Sequence, residues 1–334
     1  MTVRFGLLGA GRIGKVHAKA ITGNADAQLV AVADAFPAAA KAIADQYGCA
    51  IRSVEEILGA KDIDAVVICT PTDTHADLIE AFARAGKAIF CEKPIDLDLG
   101  RVKACLKVVR DTQATLMVGF NRRFDPHFGA VRAAIDSGAI GEVEMVTIVS
   151  RDPGAPPYDY ITRSGGIFRD MTIHDFDMAR FMLGEEVATV MAQASVLVDP
   201  KIGELGDYDS VSVMLTTASG KHCTISNSRR ATYGYDQRVE VHGALGSAAA
   251  ENQRPVSVEI ASAAGYTRPP LHDFFMTRYT EAYAAEIAAF IAALTGKRAA
   301  SPSGEDGLAA LALAEAALKS VAEKRAVAMS EVLA

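Results

Sequence analysis

Three polar side chains lie at helical spacing in the segment GGIFRDMTIHDFDMARFMLG, which runs from Gly165 to Gly184. Asp170, His174 and Asp177 are spaced by four and three residues. On a helix of 3.6 residues per turn these positions lie on one side, where a core-facing stripe would normally be apolar. A neutral histidine beside carboxylates can accept a proton near neutral pH. A metal site is the alternative chemistry, but no second histidine lies at ligand spacing, so we expect no metal.

A lysine at the end of a predicted strand is the second candidate. The stretch FCEKP places Glu92 and Lys93 at the carboxyl end of a buried strand, the edge at which ligands of open α/β sheets bind. A lysine there can donate a hydrogen bond to a substrate hydroxyl, and its charge favours a developing alkoxide. A snorkelling surface lysine is the alternative. Apolar residues that look buried precede Lys93, and Pro94 follows it, which favours a place in the active site over an exposed surface position.

A glycine pattern marks the predicted nucleotide end. Gly9, Gly11 and Gly14 form a G-x-G-x-x-G pattern that follows a predicted strand and opens a predicted helix, the context that confirms such a pattern. Gly9 permits the tight turn, Gly11 lets the backbone approach a pyrophosphate, and Gly14 lets helix and strand pack closely. The free N–H groups at the helix start, near Arg12 and Ile13, are expected to hold the phosphates.

The carboxylate after the second predicted strand indicates which dinucleotide binds. Asp34 can accept hydrogen bonds from an adenosine ribose diol and would repel a 2′-phosphate. The following AFPAAA supplies no Arg or Lys to hold that phosphate, which favours NAD over NADP. Thr70, Thr72 and His75, in CTPTDTH, follow the strand expected near the topological switch point and should face the cofactor crevice. His75 has an alternative interpretation as an ordinary residue at a helix N-terminus.

Two regions with different patterns of predicted secondary structure position these residues. Short apolar strands alternate with helical segments over residues 1–120, which predicts βαβ units and a doubly wound parallel sheet of the Rossmann type. Residues 121–334 contain long stretches in which polar and apolar residues alternate. That pattern predicts a large, mostly antiparallel sheet with one open face. We therefore expect an NAD-binding domain over 1–120 and a substrate and oligomerisation domain over 121–334, with the C-terminal helix able to pack back on the first domain.

Composition excludes several classes of protein. The 334 residues are half hydrophobic and carry a net charge of −7, which argues against nucleic acid or an anionic membrane surface as the main partner. No secretion signal and no apolar run of about 20 residues are present, so we expect no membrane span. Five cysteines without a C-x-x-C pair indicate reduced thiols and a cytoplasmic location.

The chain resembles the glucose–fructose oxidoreductase/inositol dehydrogenase family. The resemblance covers essentially the whole chain and is carried by GAGRIGKVHA, CTPTDTH, EKP and, most specifically, GGIFRDMTIHDFDMARF. The segments GFNRRFDPHF and RRATYGYDQRVEVHG make it most similar to the inositol-oxidising branch. It implies NAD-dependent oxidation of a cyclic polyol, with myo-inositol converted to 2-keto-myo-inositol. Other inositol isomers and aldopyranoses such as glucose are the nearest alternatives, and an NAD-sensing module without turnover is an alternative of another class.

The resemblance also implies roles for individual residues. Asp170 and His174 resemble the family's catalytic pair, with Lys93 as the third member: His174 removes the hydroxyl proton and Lys93 positions the reacting oxygen. The alternative is that Asp170 caps its helix and His174 is a structural histidine. Further expected contacts are Asn121 and Glu92 to the cofactor, and Arg123, Asp152, Asp177 and either Tyr233 or Tyr235 to the substrate. In the family, the open faces of such sheets pair between copies of the chain. The resemblance therefore implies a homo-oligomer, and we expect a tetramer.

Overall fold

The computed structural model describes residues 2–333 of the chain. The chain divides into two compact units, one comprising Met1–Asp125 and Thr280–Leu311, the other Pro126–Tyr279 and Ala312–Ala334. From the sequence we expect a boundary at residue 120 and a C-terminal helix able to pack back on the first domain. The structure places the boundary after Asp125 and includes Thr280–Leu311 in the first unit.

A six-stranded sheet forms the centre of the first unit. Its strands are β1 (Val3–Leu8), β2 (Ala27–Ala33), β3 (Ala50–Ile51), β4 (Ala65–Ile68), β5 (Ala88–Cys91) and β6 (Leu116–Val118). Their order is β3-β2-β1-β4-β5-β6, and all pairs are parallel. The order reverses between β1 and β4, so the binding crevice of this sheet opens at the carboxyl ends of those strands. The predicted Rossmann arrangement is confirmed.

Five helices and one short turn connect these strands, and a second short turn follows β6. The helices are α1 (Arg12–Thr22), α2 (Pro37–Tyr47), α3 (Val54–Gly59), α4 (His75–Arg84) and α5 (Leu99–Asp111), and 3₁₀ turns occupy Thr72–Thr74 and Asn121–Phe124. Local sequence sets several of their ends. Pro37 opens α2 and Gly48 ends it in the left-handed conformation, while Ser53 and Glu56 form a reciprocal capping box at α3.

A seven-stranded sheet forms the second unit. Its strands are β7 (Val143–Arg151), β8 (Val187–Ser195), β9 (Ser210–Thr217), β10 (His222–Ser228), β11 (Asp236–Gly243) and β12 (Gly246–Ala250); β13 (Ile260–Ser262) and β14 (Gly265–Thr267) form a separate hairpin, and β15 (Val327–Ala328) completes the sheet. The order is β12-β11-β7-β10-β9-β8-β15, and β7–β10 is the parallel pair. Buried and exposed residues alternate along β9 and β10, as expected for a sheet with one open face.

The remaining helices are α6 (Pro126–Asp136), α7 (Tyr158–Ser164), α8 (Ile173–Leu183), α9 (Pro200–Glu204), α10 (Phe275–Arg278), α11 (Thr280–Leu294), α12 (Gly304–Glu323) and α13 (Ser330–Leu333), and a π-helical turn spans Phe168–Thr172. Helix α11 belongs to the first unit because Phe290 packs against Phe5 and Phe90, with ring centroids 6.2 and 5.8 Å apart. Within residues 2–333 no helix is long and apolar enough to cross a membrane.

The segment VSVEIAS, residues 256–262, alternates polar and apolar residues, a pattern that predicts a strand, but it does not join the large sheet. Only Ile260–Ser262 pairs, and it does so in the exposed hairpin with β14 rather than in the large sheet. Alternation of polar and apolar residues therefore does not produce a long strand here, because the segment has no buried face to cover.

Candidate active site and cofactor cradle

The glycine turn between β1 and α1 leaves room for a ligand at one position only. A Cβ on Gly9, whose φ is +95°, would lie 2.5 Å from the Cys69 carbonyl oxygen, and one on Gly14 would lie 2.1 Å from the Gly9 oxygen. A Cβ on Gly11 would meet no described atom within 4 Å. Gly9 and Gly14 are thus required for packing, whereas the space beside Gly11 is open. Open space beside main-chain N–H groups at the start of a helix fits a pyrophosphate.

The carboxylate of Asp34 is fixed at the end of β2 by main-chain donors. The Ala10 N–H donates to its Oδ2 at 2.5 Å and the Phe36 N–H donates to its Oδ1 at 2.7 Å. Asp34 therefore joins the glycine turn to the loop after β2. Arg12, the first residue of α1, is exposed, and Ile13 is half-buried. A fixed carboxylate with lone pairs left at this edge fits a ribose diol.

The loop after β4 is braced by His75. Its two ring nitrogens lie 2.8 Å from the carbonyl oxygens of Pro94 and Thr70, so the ring joins the loops that follow β4 and β5. Burial lowers the pKa of His75, although both carbonyls favour the charged ring. The Thr70 and Thr74 hydroxyls lie 2.6 Å apart, and Thr72 begins the 3₁₀ turn. Contacts of Thr70, Thr72 and His75 with a cofactor stay predictions.

The ends of β5 and β6 bring further polar groups to the same edge of the sheet. Glu92 directly follows β5 and is followed by Lys93, which is half-buried and joined to Pro94 by a cis peptide bond. Asn121 begins the turn after β6 and is 3% exposed, and its Nδ2 has no hydrogen-bond partner among the described residues. A buried amide donor without a protein partner costs free energy unless a ligand or water accepts from it. Asn121 thus fits a cofactor contact.

In the second unit Asp170 lies in the π-helical turn that precedes α8. Tyr160 donates its hydroxyl to Asp170 Oδ1 at 2.8 Å, and Arg229 Nη1 lies 3.6 Å from Asp170 Oδ2. Arg229 is 1% exposed. Helix α8 begins at Ile173 with no side-chain cap, so the alternative of Asp170 as a cap is not observed. His174 follows on the first turn of α8 and is half-buried. Single π-helical turns occur often at functional sites because they redirect side chains.

The start of this turn is fixed by a second buried contact. Asp207 Oδ1 accepts the Ile167 N–H at 2.9 Å, and Asp207 Oδ2 lies 3.5 Å from Arg229 Nη2. A Cβ on Gly166, whose φ is +82°, would lie 2.7 Å from Asp207 Oδ1. Arg229 therefore lies between two carboxylates and ties the turn to the end of β10. The sequence analysis did not predict the roles of Tyr160, Arg229 and Asp207. For Arg229 in particular, nothing in the sequence distinguishes it from its neighbour Arg230.

The carboxylates of α8 have different surroundings. Asp175 is fully buried and accepts hydrogen bonds from Ser150 Oγ at 2.6 Å and Asn227 Nδ2 at 2.8 Å. Thr172 donates to Asn227 Oδ1 at 2.7 Å, which completes a network that fixes α8 on β7 and β10. Asp177 is 1% exposed. The helix that carries the predicted residues is therefore held by Asp175, which the sequence pattern did not single out.

The expected substrate residues occupy different places. Arg123 Nη2 pairs with Asp306 Oδ1 at 3.0 Å within the first unit, and the Asp152 N–H, after β7, donates to the Ser228 carbonyl at 2.9 Å. Tyr233 donates to Asp236 Oδ2 at 2.6 Å and accepts from Arg151 Nη1 at 3.0 Å.

Tyr233 lies on the opposite side of the large sheet from α8. Arg151 and Asp236 are paired across β7 and β11 on one face of the sheet, whereas Ser150 and Asn227 lie on the other face, where both contact Asp175 of α8. A contact of Tyr233 with the substrate stays a prediction. Tyr235 is buried among aromatic rings, 6.0 Å from both Phe274 and Tyr279.

The two candidate catalytic groups lie on different units. Lys93 belongs to the first unit, and Asp170 and His174 belong to the second. The first unit offers open backbone for a dinucleotide, and the second offers a histidine preceded by a fixed carboxylate. Each local arrangement agrees with the role expected of its unit. A site that uses all three residues is a proposal, made below.

Comparison with known proteins covers both units. Residues 3–120 match the family model described as "Oxidoreductase family, NAD-binding Rossmann fold", and residues 128–249 match the "GFO/IDH/MocA C-terminal domain". The chain is 77% identical over 330 residues to an inositol 2-dehydrogenase of Rhizobium meliloti (strain 1021), covering 99% of this chain and 100% of the relative.

Two solved structures are similar over nearly the full length. A myo-inositol dehydrogenase from Corynebacterium glutamicum ATCC 13032 is 44% identical with a TM-score of 0.95, covering 98% of this chain and 99% of that one. A scyllo-inositol dehydrogenase from Lactobacillus casei, with bound NAD(H) and scyllo-inositol, is 27% identical with a TM-score of 0.92, covering 99% and 100%.

Proposed function

Because the chain belongs to the GFO/IDH/MocA family of NAD-binding oxidoreductases, we propose that it oxidises one hydroxyl of myo-inositol to give 2-keto-myo-inositol. The observation that carries this proposal is 77% identity, over the whole of both chains, to a protein named inositol 2-dehydrogenase. Identity at this level over nearly the full length of both chains favours a common substrate class.

NAD is the cofactor of this chain, and its Rossmann unit fits it. The pyrophosphate would lie beside Gly11 and the first turn of α1, the adenosine ribose at Asp34, and Asn121 would donate from its buried amide. When bound, NAD supplies the carbon that accepts hydride from the alcohol. The work of the protein is to exclude water, to orient the polyol and to remove one proton.

We assign the proton transfer to His174. A neutral imidazole is the natural base near neutral pH, since the unperturbed histidine pKa is about 6.5. Asp170, held by Tyr160 and Arg229, is fixed one turn before His174 and can orient the imidazole or accept from a neighbouring substrate hydroxyl. Lys93 donates to the reacting oxygen and favours the alkoxide that forms as the proton leaves.

Lys93→Ala and His174→Gln test these roles. Each should lower kcat for myo-inositol by about 10²–10⁴-fold, the usual contribution of a positioned acid or base. The affinity for NADH, measured by its fluorescence on titration, and the melting temperature should stay near the parent values. Turnover at the parent rate in either variant would refute the assignment. NAD binding with no NADH formation on any polyol would instead support the non-catalytic sensing module.

The choice of isomer is tested by initial rates over a panel of polyols. We expect myo-inositol to give the highest kcat/KM, ahead of scyllo-inositol and glucose, with both NAD and NADP tested. The Lactobacillus casei protein, which is 27% identical to this chain, binds scyllo-inositol. Scyllo-inositol is therefore the most informative alternative substrate in the panel. A higher kcat/KM for scyllo-inositol or glucose would move the assignment to that substrate without changing the reaction class.

We further propose that the chain assembles as a homotetramer through the open face of the seven-stranded sheet. Met191 and Met214 are paired across β8 and β9 and are 45% and 50% exposed. Apolar side chains on the exposed face of a large sheet favour burial against another copy. Light scattering should give four chains for the parent and fewer for Met214→Lys. A monomeric parent would refute the proposal.

A cytoplasmic location is also proposed. The five cysteines are all free thiols, and burial raises the pKa of Cys69, Cys91 and Cys223 well above the ordinary value, so these thiols stay protonated. Cell fractionation with thiol counting should find the protein with five reduced cysteines in the soluble cytoplasmic fraction.

A further inference from the structure

Three titratable side chains from distant parts of the chain meet inside the first unit. His17 lies on α1, Glu92 follows β5, and Glu286 lies on α11. One ligand atom from each lies within 4.8 Å of the others. His17 and Glu286 are fully buried, while the Glu92 side chain is 12% exposed. The cluster thus leads from the interior to a carboxylate at the cofactor edge of the sheet, beside Lys93.

The contacts within this cluster are unequal. His17 Nε2 lies 2.6 Å from Glu92 Oε1, a short charge-assisted hydrogen bond, but 3.9 Å from Glu286 Oε1. Both Glu286 oxygens and His17 Nδ1 have no hydrogen-bond partner among the described residues. An ionised carboxylate in that position would be very costly. Glu286 must therefore be neutralised by a bound cation or by a proton of its own.

A metal ion is the first possibility, and the geometry disfavours it. A tetrahedral ion with bonds of about 2.0–2.2 Å keeps its ligand atoms roughly 3.3 Å apart. The separation of 2.6 Å between His17 Nε2 and Glu92 Oε1 is too short for both atoms to be ligands of one ion, and it is the length of a short hydrogen bond. A proton is therefore the better occupant.

That proton can lie on His17 Nδ1 or on Glu286. On His17 Nδ1 it would create a buried N–H donor without a partner and leave Glu286 as a buried anion without a partner. On Glu286 it leaves the imidazole neutral, with Nε2–H donating to Glu92. The second arrangement buries one charge, on the partly exposed Glu92, and so avoids both the unpaired Glu286 anion and the unpaired His17 N–H donor.

We propose that Glu286 is a neutral carboxylic acid that, with the Nε2–H tautomer of His17, leaves Glu92 as the single negative charge of this cluster and thereby positions it at the cofactor edge for NAD binding. A bulkier residue at Gly119 would disturb that carboxylate, since a Cβ there would lie 3.2 Å from its atoms. Burial first, and Glu92 second, raise the pKa of Glu286 well above its ordinary value, which agrees with the geometry.

Other titratable groups surround the cluster. They are Cys69 after β4, Cys91 at the end of β5, Lys93 next to Glu92, His75 on α4 and Tyr283 on the helix of Glu286, whose ring stands edge-on to His17 at 5.6 Å. The buried thiols keep their protons over the working range because their pKa values are also raised. Glu286 is thus the buried acid whose ionisation would place a second negative charge beside Glu92.

The test compares Glu286→Gln, which keeps the shape and the donor but cannot ionise, with Glu281→Gln, an exposed position on the same helix. At neutral pH, infrared spectra of the parent should show the carbonyl band of a buried carboxylic acid. The band should be lost in Glu286→Gln and kept in Glu281→Gln. ¹⁵N NMR should show His17 as the neutral Nε2–H tautomer. Absence of the band, or a charged His17 at neutral pH, would overturn the proposal, as would a stoichiometric metal ion that the Glu286→Gln substitution removes.

The positioning role has its own readout, the NADH dissociation constant as a function of pH. The parent and Glu281→Gln should lose affinity on the alkaline side by about tenfold as the second charge appears, whereas Glu286→Gln should not. Identical pH profiles in all three proteins would reduce Glu286 to a structural residue and refute the positioning role. If Glu286→Gln does not fold, the infrared band and the His17 tautomer of the parent protein still decide whether Glu286 is a neutral acid. NADH binding uses no polyol, so failure here is distinguishable from failure of the proposed substrate.

Discussion

Replacing Gly11 with alanine should separate cofactor binding from folding. Gly11 has φ −69° and ψ −163°, a conformation that alanine adopts freely, and its added Cβ would meet no described atom within 4 Å. A glycine-to-alanine change at a compatible position stabilises by about 0.4–1 kcal/mol through the unfolded chain. The free energy of unfolding of the apo protein should therefore stay level or rise slightly.

The same methyl group occupies the open space in which the pyrophosphate must approach the backbone. We expect NADH affinity to fall by about tenfold or more, a loss of about 1.4 kcal/mol or greater. Gly14→Ala is the matched contrast, because its Cβ would lie 2.1 Å from the Gly9 oxygen and α1 must move away from β1. Such overpacking costs about 1–3 kcal/mol, and in a domain of about 150–250 residues each kcal/mol lowers the melting temperature by about 2–4 °C.

Two measurements on each variant decide the matter: the melting temperature without cofactor and the NADH dissociation constant from fluorescence titration. Gly11→Ala should raise the NADH dissociation constant and leave the melting temperature unchanged. Gly14→Ala should lower the melting temperature. NADH binding at parent affinity by Gly11→Ala would show that the pyrophosphate lies elsewhere. An unchanged melting temperature in Gly14→Ala would contradict the close packing of α1 on β1.

Three further outcomes are expected. Asp34→Ser removes the charge that would repel a 2′-phosphate, so the preference for NAD over NADP, measured as a ratio of kcat/KM values, should fall by about tenfold or more. Asp175→Ala leaves the Ser150 hydroxyl and the Asn227 amide buried without their acceptor, and urea unfolding should show a loss of about 2–5 kcal/mol, with exposed Asp159→Ala as the control that should change little. Because the folded-state pKa of Glu286 is raised, its contribution to stability is complete below about 4.5 and is lost as pH rises towards the folded-state value. Melting temperatures should therefore favour Glu286→Gln over the parent increasingly above that pH, and a constant difference across pH would contradict the buried neutral acid.

The sequence by itself predicted the features whose causes are local. Gly9 and Gly14 are required because no Cβ fits, and a pattern of glycines after an apolar strand encodes that requirement directly. The apolar runs of β4 and β5 predict parallel strands buried on both faces, and Pro37 and Gly48 give the ends of α2. NAD binding and the fold class followed from these residues and from the family resemblance.

Only the tertiary structure decided which distant segments meet. The sequence does not show that α11 joins the first unit, that Arg229 and Tyr160 hold Asp170, or that Tyr235 is a core residue while Tyr233 lies on the open face of the sheet. His17 and Glu286 look unremarkable in the sequence, and the chemistry of their cluster with Glu92 arises because packing brings the three side chains together largely away from water. Periodicity and turn residues report on neighbours along the chain, whereas burial and unpaired charge depend on the elements that pack around a side chain.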